Sequence, residues 1–256
     1  MIELTKFTKA KGSLSKRITL NPDGTIKSDG GMCAMAAGRA ERVHVDGLVG
    51  LAPLIVGLKF NEALCLGALR RDLPDVVPIN AKGKIDDGTA VPGAVSRSKE
   101  NLVFEPARPA FVLLDYDTKL MPPEVRQRVD AAGGFWPALV AAVPGLAGVP
   151  RLVRPSTTTG LWREDTEQSF PGSDGLHTYI AVRDGADIKR FVDVVHDRCW
   201  LAGFGWYAFG KAGQLLSRSL VDVAVASPER LVFEAPPFVE PPLKQDTAAR
   251  RPVVVS

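Results

Sequence analysis

Cysteine and histidine are scarce in this chain, with three of each in 256 residues. Cys33, Cys65 and Cys199 are odd in number, widely spaced and without a Cys-x-x-Cys pair, so a disulfide framework is not expected and buried free thiols in a reducing compartment are. A zinc site from Cys33, His44 and Cys65 would have a spacing that fits no standard knuckle. Long hydrophobic runs are missing too. The longest, around Leu48–Leu58 and Trp136–Val149, fall short of the roughly 20 residues of a membrane span. They are also interrupted by Pro53 and by Pro137 and Pro144. The opening Met1-Ile-Glu-Leu-Thr-Lys has no apolar stretch of the kind a secretory signal carries. A cytoplasmic protein without a membrane partner is the expectation. Nor is there a large charge excess: the net charge of +3 permits a nucleic-acid partner without demanding one. Internal repeats and low-complexity tracts are absent.

What is present is ordinary globular material. Hydrophobic residues make up 45% and charged residues 24%, and the length suits one large domain or two small ones. Residues 1–45 read as β-structure, with a strand over Leu14–Leu20, a turn at Asn21-Pro-Asp-Gly24 and a strand over Arg39–Val45. Lys6, Lys9, Lys11, Lys16 and Arg17 make this part locally basic, either a solvated face or a strip facing nucleic acid. Leu48–Leu69 reads as one or two helices, and residues 80–100 as a polar loop or edge element. Pro122-Pro-Glu124 opens a helix that Gly133-Gly134 ends, and a more apolar helix runs from Phe135 to about Val143. Arg151–Pro155 and Leu176–Val182 read as strands around a long polar loop. Ala186–Leu201 is an amphipathic helix, Trp206–Phe209 begins another strand, and Pro228–Glu234 is a last one. From Ala235 the prolines suggest a semi-extended linker or tail.

One stretch stands out chemically. Phe111-Val-Leu-Leu is a buried-strand run that delivers Asp115 and Asp117. Residues two apart on a strand share a face, so both carboxylates project together with Tyr116 turned the other way. Two like charges held close raise each other's pKa unless a cation compensates, and hard oxygen ligands suit Mg²⁺ or Mn²⁺. His177 follows a glycine-bearing loop at the start of a strand. Asp222 lies in the apolar run Ser219-Leu-Val-Asp-Val-Ala-Val, where a buried carboxylate needs a partner such as Arg218 or a metal.

An apolar strand with Asp-x-Asp, then small-x-His on a strand, then an apolar run with one Asp, resembles in that order the archaeo-eukaryotic primase superfamily. The likeness is to its primase-polymerase domains of phages, plasmids and integrated elements, and it spans roughly residues 110–235. The motifs would be Asp115/Asp117, Gly175-Leu176-His177 and Asp222, with the Ser156-Thr-Thr-Thr-Gly160 loop also similar. Gly175 stands where that family commonly has serine, which removes a hydroxyl contact to phosphate. The resemblance implies an α+β fold. An RRM-like catalytic sheet over 106–235 would pack on an N-terminal αβ module over 1–105, with 236–256 a proline-rich linker or tail. It implies primer synthesis or extension on single-stranded DNA from NTPs or dNTPs, and a fused or associated replicative helicase. Asp115, Asp117 and Asp222 would be the catalytic ligands of a two-ion Mg²⁺ or Mn²⁺ site. His177, Ser156, Thr157 and Thr158 would contact the triphosphate, and Arg218 and Arg230 would neutralise developing charge. Trp162 is the expected exposed stacking ring for DNA.

Other readings share these residues. A metal-dependent glycosyltransferase also uses Asp-x-Asp, but residues 1–60 do not look like its opening nucleotide-binding unit. A metal-dependent nuclease would cut DNA without nucleotides. An inactive primase-fold DNA-binding module would have no reason to keep a costly carboxylate cluster.

Overall fold

The apolar run after Pro109 forms a strand, Ala110–Tyr116, that is covered on both faces. Ala110, Val112, Leu114 and Tyr116 pack against the helices Phe135–Ala142 and Ile188–Leu201. Phe111 and Leu113 join a separate cluster on the opposite face. This is the two-residue period of a strand, and burial on both sides is why the run is apolar without alternation. Asp115 is the next residue on the Phe111–Leu113 face. The computed structural model describes residues 1–210 and 212–256.

Around this strand the sheet is antiparallel, in the order Val253–Val255, Arg151–Pro155, Leu176–Val182, Ala110–Tyr116. The register sets Asp115 opposite His177 and His177 opposite Arg154. Directly opposed residues of an antiparallel pair share a face, so the three side chains form a row across the sheet. Between the first two of these strands in chain order run the helices Pro123–Ala131 and Phe135–Ala142. The first opens with proline in its first turn and stops before Gly133 and Gly134, at φ of 94° and 103°. Glycine adopts that left-handed region at little cost, which lets the chain reverse.

A second sheet has the order Leu231–Val232, Glu62–Cys65, Ile2–Lys9, Ala37–Val45, Val76–Asn80. Its Ile2, Leu4 and Leu64, with Leu51 and Ile55 of the helix Gly47–Val56, meet Phe111, Leu113, Leu152 and Tyr179 in one apolar cluster. The two sheets therefore share a core, and the aspartate row lies beside their junction.

The α+β class holds, and several finer expectations change. Leu48–Leu69 is helical only over Gly47–Val56; Glu62–Cys65 and Ala68–Leu69 are strands. All four residues of Glu62–Cys65 are buried between two neighbouring strands, so the segment has no period that would tell it from a buried helix. Within 80–100 there is a short helix, Lys82–Asp86. The long loop after Pro155 contains the strand Leu161–Arg163, paired with Leu243–Gln245. Residues 236–256 are no linker: Phe238–Val239 pairs with Arg17–Leu20, and Val253–Val255 is the edge of the aspartate sheet. Because Leu231–Val232 completes the N-terminal sheet, a boundary near 105 does not separate two cores. Among the described residues no helix is long and apolar enough to cross a membrane.

Candidate active site

Seven of the residues singled out by sequence meet at one cleft. Asp115, Asp117, His177 and Asp222 line a cavity of about 520 Å³, together with Ser156, Thr157 and Arg230. Asp115 and His177 arrive by strand register, with His177 Nε2 3.6 Å from Asp115 Oδ1. Tyr116 is turned to the opposite face, where its ring stacks on Phe135 at 4.5 Å between centroids. The strand ends at Tyr116, so Asp117 sits in the following loop, exposed, and its Oδ1 accepts the Lys119 N–H at 2.9 Å.

Asp222 comes from far along the chain. Leu220 and Val221 are buried in the helix-side core, and the Asp222 N–H donates to the Asp115 carbonyl at 3.1 Å. That single backbone bond docks the third carboxylate against the first. The Asp222 side chain also accepts the Ala224 N–H, capping the 3₁₀ turn Val223–Ala226. Arg218 and Arg230 stand 3.7 and 3.5 Å from its two oxygens. Arg230 faces the main cleft, and Arg218 faces an adjoining pocket of about 80 Å³ that Asp115, Asp117 and Asp222 also line.

The carboxylates of this cluster crowd one another. Burial raises the Asp115 carboxyl above its usual range; His177 opposes this, and Asp222 and Asp117 add to it. An all-oxygen donor set of this kind matches the chemistry of a hard divalent ion. As the side chains stand, no group of three His, Cys, Asp or Glu residues is arranged to hold a metal among the described residues. His44 instead lies 3.3 Å from Glu3, and burial pushes the Cys65 thiol well up.

The hydroxyl loop is ordered by its own bonds. Ser156 Oγ lies 3.0 Å from Thr158 Oγ1 and 2.8 Å from Ser173 Oγ, and the Ser156 N–H donates to the Gly175 carbonyl. Ser156 and Thr157 face the cleft; Thr158 does not, and its hydroxyl accepts the Ser173 N–H instead. Trp162 is half-buried in its two-stranded ribbon, so it is not the exposed ring; Phe60, Tyr207, Phe209 and Phe238 are exposed. Lys16 and Arg97 line the cleft from the N-terminal part, the one from the basic strip and the other from the 80–100 stretch.

Sequence reasoning missed a second cluster behind His177. Glu234 is fully buried, and its carboxylate meets His177 Nδ1 at 2.5 Å, the Tyr179 hydroxyl, Arg154 Nε at 3.2 Å and Arg250 Nη2 at 3.4 Å. Burial alone would raise Glu234, but the His177, Arg154 and Arg250 charges outweigh it and hold it at about 2. Burial works against the His177 imidazolium as well; Glu234 and then Asp115 overcome it and raise the histidine. The signal was faint: one charged residue at the end of a short apolar strand, and one arginine of a pair in what read as a tail. Comparison with protein-family models, with curated proteins and with solved structures found no match to the chain.

Proposed function

We propose that this chain is a metal-dependent nucleotidyltransferase of the primase-polymerase kind, making or extending primers on single-stranded DNA. The observation that carries the reading is the convergence of Asp115, Asp117 and Asp222, with His177 and Arg230, on one cleft from distant parts of the chain. An RRM-like description of the sheet draws support from its connections. Strand 110–116 is followed by helices, then strands 151–155 and 176–182, then helix 188–201, and strand 176–182 lies between the other two. The chain meets strand 110–116 again at Asp222, whose N–H donates to the Asp115 carbonyl.

Each group has a task in this reading. Asp115, Asp117 and Asp222 would hold Mg²⁺ or Mn²⁺, which when bound activates the 3′-hydroxyl and neutralises charge on the reacting phosphate. His177, whose charge Glu234 favours, donates from Nε2 to a triphosphate oxygen. Arg230, one side of Asp222, neutralises charge on the leaving pyrophosphate. Ser156 and Thr157 bound the triphosphate end, and the apolar wall of Leu113, Val225 and Leu231 excludes water from the reacting atoms.

Primer extension with either metal and either nucleotide type tests this. Asp117→Asn should abolish extension while leaving single-strand binding intact, since phosphate contacts from Lys and Arg supply most of that affinity. His177→Ala should weaken nucleotide binding by about 1.5–3 kcal/mol, the worth of a charge-assisted hydrogen bond. Failure of the wild-type protein to extend or make a primer under any of these conditions overturns the proposal. Metal-dependent cutting of DNA without nucleotides would make the protein a nuclease.

A further inference from the structure

Glu234 touches no solvent and does not line the cleft, yet four side chains surround its carboxylate. Oε1 takes His177 Nδ1 and the Tyr179 hydroxyl, and Oε2 faces Arg154 and Arg250. Three of these partners follow from sheet geometry. Arg154 opposes His177 across the strand pair, and Tyr179 is two residues beyond His177 on the same face. The fourth does not. Arg250, 4% exposed, comes from the C-terminal segment whose strand Val253–Val255 zips onto Arg151–Val153. Glu234 itself follows the strand Leu231–Val232 of the other sheet. One carboxylate thus joins the histidine of the cleft to both sheets and to the C-terminal strand.

An imidazole on a strand edge turns freely about its side-chain torsions unless one nitrogen is held. A carboxylate that takes Nδ1–H leaves Nε2 facing away from it, and here that direction is the Asp115 side of the cleft. We infer that Glu234 is a positioning residue that locks His177 with Nδ1 inward and Nε2 toward the cleft, and that Arg154 and Arg250 hold Glu234 for that task. Its kinetic consequences rest on the nucleotidyl-transfer reading; the locked imidazole does not.

Two measurements test it. In the proton NMR spectrum of the wild-type protein, the His177 Nδ1 proton should appear far downfield and exchange slowly with water. It should be assigned by its loss in His177→Ala, and it should shift upfield in Glu234→Gln, where a neutral amide accepts the bond. The second measurement is a kinetic cycle. Glu234→Gln should raise the nucleotide KM about tenfold with little change in kcat, a loss on the scale of one charged hydrogen bond. In a His177→Ala background the same change should add almost nothing, because Glu234 acts through the histidine. A merely structural role would cost both backgrounds alike, and that result overturns the inference. So does a wild-type spectrum without any such downfield proton, a result that needs no enzymatic activity. If the wild-type protein turns over no nucleotide, the functional reading falls while the resonance still decides whether Glu234 holds the His177 imidazole.

Discussion

Two groups of charges share one face of the same sheet and are balanced in opposite ways. Around Glu234, one carboxylate faces His177, Arg154 and Arg250, all in the interior or at its margin. Around Asp115, three carboxylates lie close together, and Arg218 and Arg230 make their short contacts with Asp222. In the first group attraction outweighs the burial cost and Glu234 is held at about 2; in the second, burial and repulsion push Asp115 up. His177 stands between them and belongs to both. The difference separates a carboxylate that the fold pairs internally from one that it leaves crowded by its neighbours. A carboxylate held below its unfolded pKa adds to stability at neutral pH, whereas one raised above it subtracts.

Breaking the matched group should have the largest effect. Glu234→Ala leaves Arg154 and Arg250 buried without their counter-charge, and denaturant unfolding should report a loss of about 3–5 kcal/mol. Acid gives the same contrast without mutation. The folded Glu234 lies near 2, below its unfolded value of about 4.3. It therefore contributes stability above the unfolded value, of the order of 3 kcal/mol, and that share is lost as pH falls through the window from about 4 to 2. Glu234→Gln should flatten the wild-type acid limb there.

Filling the unmatched group should come next. If Mg²⁺ or Mn²⁺ binds the aspartates, a concentration one hundred times its Kd should stabilise the protein by about 2.7 kcal/mol. Thermal unfolding with and without the ion measures this, and Asp115→Asn or Asp117→Asn should abolish the gain. An unchanged wild-type melting temperature with either ion would count against a metal site.

The smallest effect has the opposite sign to the first. The folded Asp115 titrates above its unfolded value, so it favours folding only at low pH and opposes it once pH rises through the folded pKa. Asp115→Asn should therefore be slightly more stable than wild type at neutral pH, with the difference vanishing in acid, by equilibrium unfolding at both. A destabilised Asp115→Asn would mean that His177 depends on the Asp115 charge more than on Glu234.

Much of the local structure was legible in the residues. The strand 110–116, the proline-opened helix at 123, the Gly133-Gly134 break, the strand 176–182 and the amphipathic helix 188–201 rest on period, turn chemistry and capping. These act over a few neighbours, and the sequence carries them directly. The aspartates and His177 were legible as well, because a charged or titratable group at the end of an apolar strand is costly enough to notice. What only the tertiary structure decided was company. Nothing local told the apolar segment 62–65 to be a strand, placed Asp222 against the Asp115 carbonyl, or sent Arg250 to a glutamate sixteen residues earlier. Those outcomes depend on which strand pairs with which, and pairing is settled by the burial of whole faces. The carboxylates were visible one at a time; their opposite electrostatic fates were set by the sheets that brought each its neighbours.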